Sequence, residues 1–404
     1  MTKSFPQDPD ERKPVLISTR NLKMAASAHA YVRGSTVKFY EWLEGSNRAN
    51  VPEGSSVWIC GDCHVGNIGP IASLAGKVDI QIRDLDQTVI GNPAHDLVRL
   101  GLSLAMAARS SDLPGVTTAR IIEQMAQGYR NALSADAGDA DAPAPEAPDI
   151  IRRTLRKAVG RSWKHLADER IEGRDPAIPL GKRFWPLTGE ERAAIDAVFG
   201  QEDVRKLVSS LRSRDDSSTI SVMDAAYWRK GCSSLGRLRL AVLLAISAGK
   251  DSVRHCLIDV KEAIAPAAPH SADAAMPADN GERVLEGARH LAPNLGRRML
   301  ATRILDRAVV LRELLPQDLK LDIERLTRSE AMEVARYLAG VVGHAHARQM
   351  SRTDRRAWHS ALDRRRTDTL DAPSWLWRSV VDLVGTHEAA YLEHCRRYAL
   401  AEPG

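Results

Sequence analysis

The sequence predicts a mixed α+β chain, in which helix-rich segments flank a small antiparallel β-rich segment inserted late. Three observations predict it. Apolar residues recur at three- and four-residue spacing over Leu97, Leu100, Leu104 and Ala108. Short apolar or alternating runs stand at 57–60 and 78–82, and two further runs, 238–246 and 257–260, flank the polar turn 247–252. The chain has 404 residues, 44% hydrophobic and 27% charged, enough for two packed domains, and disorder, collagen and coiled coil are excluded as whole-chain classes.

In chain order, residues 16–50 read as helical. The run Val57-Trp58-Ile59-Cys60 is a buried strand that breaks at Gly61-Asp62, and Val78, Ile80 and Ile82 alternate into a second strand ending at Arg83-Asp84-Leu85-Asp86. Two strand ends therefore carry aspartates. A helix opens at Asp96, read as its cap, and another covers 119–132. The Ala/Pro/Asp stretch 134–149 is expected to be a mobile surface loop, with helices over 150–211. The pattern turns β-like around Tyr227, and 238–260 is the only hairpin expected. A second Ala/Pro-rich loop, 266–280, precedes a helix over 282–290, a brief strand at 309–311 and a helical remainder that includes 335–348. The expected organisation is a helical part over 1–215, a β-rich part over 216–313, and helices over 314–404 that complete the first part. There is no internal repeat.

The net charge of +5 is mild and forms no basic patch, which argues against a nucleic-acid partner. Residues 1–18 lack the apolar core of a signal peptide, and no run approaches a membrane span, so a cytoplasmic protein with no membrane partner is expected. Five cysteines fit a reducing compartment. The basic residues are 13 Lys against 44 Arg, so a lysine in an apolar setting is informative.

The densest cluster is Cys60-Gly61-Asp62-Cys63-His64-Val65-Gly66-Asn67, followed by Asp84. An aspartate, an asparagine five positions on, and a second aspartate at the next strand end supply one base and two oxygen ligands for a hard cation, the combination phosphoryl transfer requires. The same residues also read as a plain polar turn. Cys60-x-x-Cys63-His64 matches a c-type haem attachment pattern, although no export signal accompanies it. Asp62-x-His64 together with Gly343-His344-Ala345-His346 resembles the metal motifs of calcineurin-like phosphoesterases, although those histidines also fit ordinary helix positions.

Gly231 and Gly236 flank Ser233 and Ser234 between two β-like runs, so that loop backbone can approach a phosphate closely; it also reads as a simple hairpin turn. The strand Leu257-Ile258-Asp259-Val260 ends in Lys261, placed to neutralise nucleotide phosphates, with Glu286 or Glu282 of the next helix as its partner. Otherwise Lys261 is a solvated strand-edge lysine.

Gly61-Asp62-x-His64-x-x-Asn67 resembles the catalytic loop of aminoglycoside phosphotransferases and related kinase-like enzymes, and Asp84 resembles their metal-binding aspartate. The chain over most of 20–350 resembles the bacterial domain of unknown function 2252 family, through Tyr31-Val32-Arg33-Gly34, the Gly-Asp-x-His loop, Asp84-Leu85-Asp86, the glycine-rich turn and Val260-Lys261-Glu262-Ala263. The resemblance implies a two-lobed kinase-like fold, circularly permuted because the catalytic loop precedes the glycine-rich turn. It implies ATP and Mg2+ as cofactors, with ATP under Gly231–Gly236, its phosphates on Lys261 and its adenine near 309–313. Asn67 and Asp84 would bind the metal. Asp62 would orient the acceptor hydroxyl, His64 the loop, and Asp96 would hold the loop backbone. Arg33 is a candidate for an anionic substrate group. The expected activity is phosphotransfer to an unidentified hydroxyl acceptor, against nucleotide binding without turnover or a metallophosphoesterase built on Asp62, His64, His344 and His346.

Overall fold

The computed structural model describes residues 5–47, 50–110, 113, 115–134, 146–171, 176–210, 218–247, 253–321, 326–363, 366–367 and 370–398. Most of the loop expected at 134–149, the turn residues 248–252 and the 215/216 boundary lie outside them.

The chain opens with helices α1 (Pro9–Ala25), α2 (Ala28–Gly34) and α3 (Thr36–Trp42). Asp8 and Ser27 cap the first two, their side chains accepting from Asp10 and Ala30 N–H. Strands β1 (Val57–Ile59), β2 (Ile68–Ala72), β3 (Val78–Ile82) and β4 (Val89–Gly91) follow, β1 pairing with β4 and β2 with β3, both antiparallel. Helix α4 (Pro93–Ser110) begins three residues before the expected cap. Asn92 is the residue that caps it, its side-chain oxygen accepting from Ala94 N–H, with Pro93 at the first helical position. Asp96 thus sits inside the first turn, free to point elsewhere.

Next come α5 (Gly115–Ala132), α6 (Asp149–Val159), α7 (Trp163–Arg170), a two-residue strand β5 (Phe184–Trp185), α8 (Gly189–Phe199) and α9 (Glu202–Ser209). The sheet strands are β6 (Thr219–Trp228), β7 (Arg239–Ser247) and β8 (Val253–Glu262). After α10 (Asn280–Leu291) and α11 (Pro293–Gly296) come β9 (Met299–Ile304) and β10 (Arg307–Glu313). The chain ends with α12 (Arg328–Ala347), α13 (Arg352–Asp363), β11 (Arg366–Thr367), β12 (Leu370–Pro373) and α14 (Ser374–Tyr398).

The fold is mixed α+β. Six antiparallel strands form one sheet in the order β5-β6-β7-β8-β10-β9. Hairpins exceed the single one expected: β2–β3, β6–β7 and β9–β10 are also hairpins. The last was hidden because its turn residues are Leu305 and Asp306, both at positive φ (50° and 58°), where Asn-Gly would have marked the turn. The helical run expected over 150–211 is broken by β5, which joins the sheet edge at β6.

Alternation assigns the two sheet faces. Leu240, Val242, Leu244, Ile258, Val260, Val309 and Leu311 form one apolar cluster with Ile195, Val198 and Val204 of α8 and α9. On the other face Ala241, Leu243 and Leu257 pack with Leu166 of α7, while Arg239, Asp259 and Lys261 continue that face toward the β1–α4 region. A separate large core joins α4, α5, α12 and α14, with α5 against α12 the most extensive contact. No described helix is long and apolar enough to cross a membrane.

Candidate active site

The segment from β1 through the short 3-10 turn Val65–Asn67 is held by buried charge. Gly61 has φ +73°, and a Cβ there would run into the carbonyl of Gln87, so only glycine allows the chain to leave β1 at this angle. Asp96 of α4, fully buried, accepts Cys60 N–H (2.7 Å) and Gly61 N–H (2.9 Å). Its third partner is His346 Nε2 at 3.2 Å, while His346 Nδ1 meets the Tyr129 hydroxyl at 2.9 Å and Trp358 Nε1 donates to that hydroxyl. Residues of α4, α5, α12 and α13 therefore converge on two backbone amides. Tyr40 adds a hydroxyl donated to Gly61 O.

Asp62 is turned inward by Arg99 of α4, whose Nε donates to Oδ1 at 3.0 Å and whose Nη2 also donates to Val32 O. Burial raises the Asp62 carboxyl above its ordinary range against the opposing pull of Arg99. His64 lies 3.8 Å from the other Asp62 oxygen, is 4% exposed, and is held well below its ordinary pKa by burial and then by Arg99 and Arg33, so it is neutral. Asn67 donates its amide N–H to Asp62 O, which leaves its oxygen uncommitted.

Asn67 and Asp84 are neighbours because β2 and β3 pair in register, Arg83 N–H donating to Asn67 O at 2.7 Å beside the Ile68–Ile82 pair. From the sheet, Lys261 Nζ reaches both Asp84 oxygens (2.9 and 3.0 Å) and Asp86 Oδ2 (2.5 Å). Burial alone would raise the Asp84 carboxyl, yet Lys261, with Arg312 and Arg239 behind it, holds it far below the carboxylate range. Asp86 goes the other way, raised by burial and by Asp84. Two carboxylates sharing one ammonium keep a net negative charge, and Asn67, whose backbone pairs with that of Arg83, carries a neutral amide oxygen in the same region of the hairpin. This oxygen-only set fits a hard divalent cation.

Lys261 does not use Glu286 or Glu282. Glu286 bonds Arg289 (3.1 Å) on its own helix and Glu282 is exposed. The residue α10 turns inward is Arg283, which donates to the Asp86 and Ile264 carbonyls at 3.0 and 2.9 Å and to Thr88 O, fixing the loop that carries Asp86. Arg283 and Arg99 are not legible in the sequence because an arginine inside a helix carries no local signal for the distant group it meets; Asp86 is read there only beside Asp84, and His346 only as a metal ligand.

The glycine-rich turn adopts φ +85° at Gly231 and +94° at Gly236. Ser234 is consumed by the turn itself, donating to Lys230 O and accepting from Arg239; that hydroxyl is not offered outward, whereas Ser233 is half-buried. Behind the turn, Asp259 is clamped by Arg239 (2.9 and 2.6 Å), with Lys230 at 3.6 Å and Arg312 at 3.5 Å. Lys230 and Arg170 lie over the Trp228 ring.

Beside 309–313, where adenine was expected, Val309 and Leu311 face the opposite side of the sheet. The cleft bounded by Asp84, Asp86, Lys261, Val310 and Arg312 holds only about 30 Å³. The cleft is shut.

His344 and His346 are not gathered with Asp62 and His64. His344 lines a separate cavity among α5, α6 and α12, and His346 is bound to Asp96 and Tyr129. Among the described residues no group of three or more His, Cys, Asp or Glu is arranged to hold a metal. Cys60 and Cys63 are free and buried, and the Cys60 thiol donates to Asp84 O, which leaves these thiols no access to a haem.

A family model described as an uncharacterized protein conserved in bacteria (DUF2252) matches residues 12–397, so the chain belongs to that family. No curated protein and no solved structure matches it.

Proposed function

We propose that this member of the DUF2252 family is an ATP- and Mg2+-dependent phosphotransferase of kinase-like type, acting on a hydroxyl acceptor. The observation that carries the reading is the meeting of Lys261, from the middle of the sheet, with Asp84, from the hairpin beside the Asp62 loop, at 2.9 Å. The sheet supports it further: a glycine turn joins β6 to β7, the lysine lies on the next strand, and a helix precedes the closing β9–β10 hairpin. In this reading the sheet is one lobe and the helical core the other, and the catalytic loop comes first in the chain, a circular permutation.

The chemistry assigns each group a task. The bond from the γ-phosphorus to its bridging oxygen breaks and a bond to the acceptor oxygen forms, while Asp62 orients the acceptor hydroxyl and receives its proton. A carboxyl raised by burial is suited to that exchange. Lys261 would leave its two aspartates to meet the phosphates, and Asp84, Asp86 and Asn67 would hold Mg2+, which supplies charge neutralisation on the phosphate oxygens. The shut cleft requires the sheet to swing away from the Asp84 loop before nucleotide enters.

A second reading, nucleotide or partner binding without turnover, is favoured by the same shut cleft and by the saturation of Lys261. Thermal shift of the full chain with ATP, with and without Mg2+, separates the two. Magnesium-dependent stabilisation followed by mass gain in a metabolite pool supports phosphotransfer, magnesium-independent binding supports the second reading, and no nucleotide binding removes phosphotransfer and leaves partner binding alone.

A further inference from the structure

We propose that a cluster of cations and orphaned ring nitrogens beside the Asp62 loop is an oxyanion site that selects an acceptor bearing its own phosphate or carboxylate. The proposal rests on the phosphotransferase reading. His29 and Arg33 stand one turn apart on α2, which Arg99 ties to the Asp62 loop. Among the described residues neither has a hydrogen bond or ion pair, and His29 Nδ1 and Arg33 Nε are buried orphans.

Gly66 is the cradle. A Cβ there would meet Arg33 Nε at 3.0 Å and His64 Cε1 at 3.1 Å, so the guanidinium lies against the loop backbone and the His64 ring. His64 Nδ1 is itself a buried orphan on a residue 96% buried. Arg83 lies over Gly69 against the Leu319 carbonyl and donates to Asp318 O, which brings it beside Lys320, and among the described residues Lys320 has no acidic partner. The charges bearing on Lys320, after its partial burial, are those of Arg33, Arg83, Lys23 and Arg239, all positive, and together they lower its pKa. Lys23 closes the ring, donating to Gly231 O of the glycine turn.

Several buried arginines of this fold are ion-paired, as Arg12 is with Glu191, Arg239 with Asp259 and Arg298 with Asp318. Cations held together without a counter-charge repel one another, and a bound oxyanion relieves that repulsion with charge-assisted hydrogen bonds. The patch runs from α2, tied to the Asp62 loop by Arg99, to the glycine turn of the sheet, and the acceptor would occupy its Asp62 end. A neutral His64 Nδ1 can accept from a hydroxyl of the same ligand or, protonated, donate to it.

The test titrates inorganic phosphate and malonate calorimetrically into the full chain, with and without a Mg2+-bound non-hydrolysable ATP analogue. Phosphate or malonate binding alongside the analogue, weakened at least about tenfold in Arg33→Met and in Lys320→Met, supports the site; the tighter anion names the acceptor's group. Lys320→Met is at an exposed position, so its loss cannot be ascribed to misfolding. Unchanged affinity in both variants, no binding of either anion, or one-for-one displacement by the analogue overturns the proposal. Anion binding that depends on Arg33 while the analogue fails to bind leaves the oxyanion site standing and overturns the phosphotransferase reading instead.

Discussion

Lys261 and Asp84 are 177 positions apart and share two hydrogen bonds, with the Lys261 ammonium also 2.5 Å from Asp86. The sheet and the β2–β3 hairpin are thus latched through one cation. Removing it leaves two carboxylates facing each other, Asp86 largely buried and Asp84 partly exposed.

Lys261→Met is expected to lose about 2 kcal/mol of stability, the range for breaking a partly buried ion pair after discounting the exposure of Asp84. Millimolar Mg2+ should raise the melting temperature of this variant more than that of the parent, because a divalent cation can take the place of the ammonium. Equal magnesium responses in the two proteins would remove Asp84 and Asp86 from the cation site.

Asp62→Asn keeps an acceptor for Arg99 and should fold as the parent does. Its turnover is expected to fall by about 10²–10⁴, with nucleotide affinity retained. Full turnover in single-turnover assays would take the proton from Asp62.

Asp96→Asn tests the support of the loop. One carboxylate accepts two backbone N–H groups and the His346 ring, and an amide group must turn one donor toward another. A loss of about 1–3 kcal/mol in urea unfolding is expected. Gly61→Ala should lose about 2 kcal/mol or more, since it requires both a left-handed backbone and displacement of the Gln87 carbonyl.

Acid sensitivity follows from buried neutral histidines. Burial pushes His387 down to about 3 and His29 to about 4 from an ordinary value of 6.5, with Arg99 adding to both and Arg33 acting on His29. Below pH 6.5 the unfolded chain binds protons the folded chain does not, so stability is full above 6.5 and falls as pH is lowered toward these folded values. Urea midpoints should decline between about pH 6.5 and 4.5, above the range where most carboxylates titrate. His387→Phe should flatten the decline by up to one proton; an unchanged slope would mean that His387 does not contribute.

The residues that bear on chemistry stand at legible places in the sequence. An apolar run broken at Gly61-Asp62, an alternating run ending at Asp84, and a strand ending at Lys261 are local patterns, because strand ends and tight turns depend on nearest neighbours and on backbone sterics. The same holds for the apolar stripe of α4 and for the overall α+β class.

Partner choice could not be read this way. Nothing near Lys261 in sequence indicates that Asp84 and Asp86, rather than Glu286, receive it, nor that Arg99 holds Asp62, Arg283 the Asp86 loop and His346 the Asp96 carboxylate. Charges are long-range and find one another only after the apolar faces have packed, and the stable pairing is the one that leaves the fewest buried charges alone. The sequence by itself determined where the reactive side chains leave the backbone. The tertiary structure decided which of them face each other, and that the cleft between sheet and hairpin is shut.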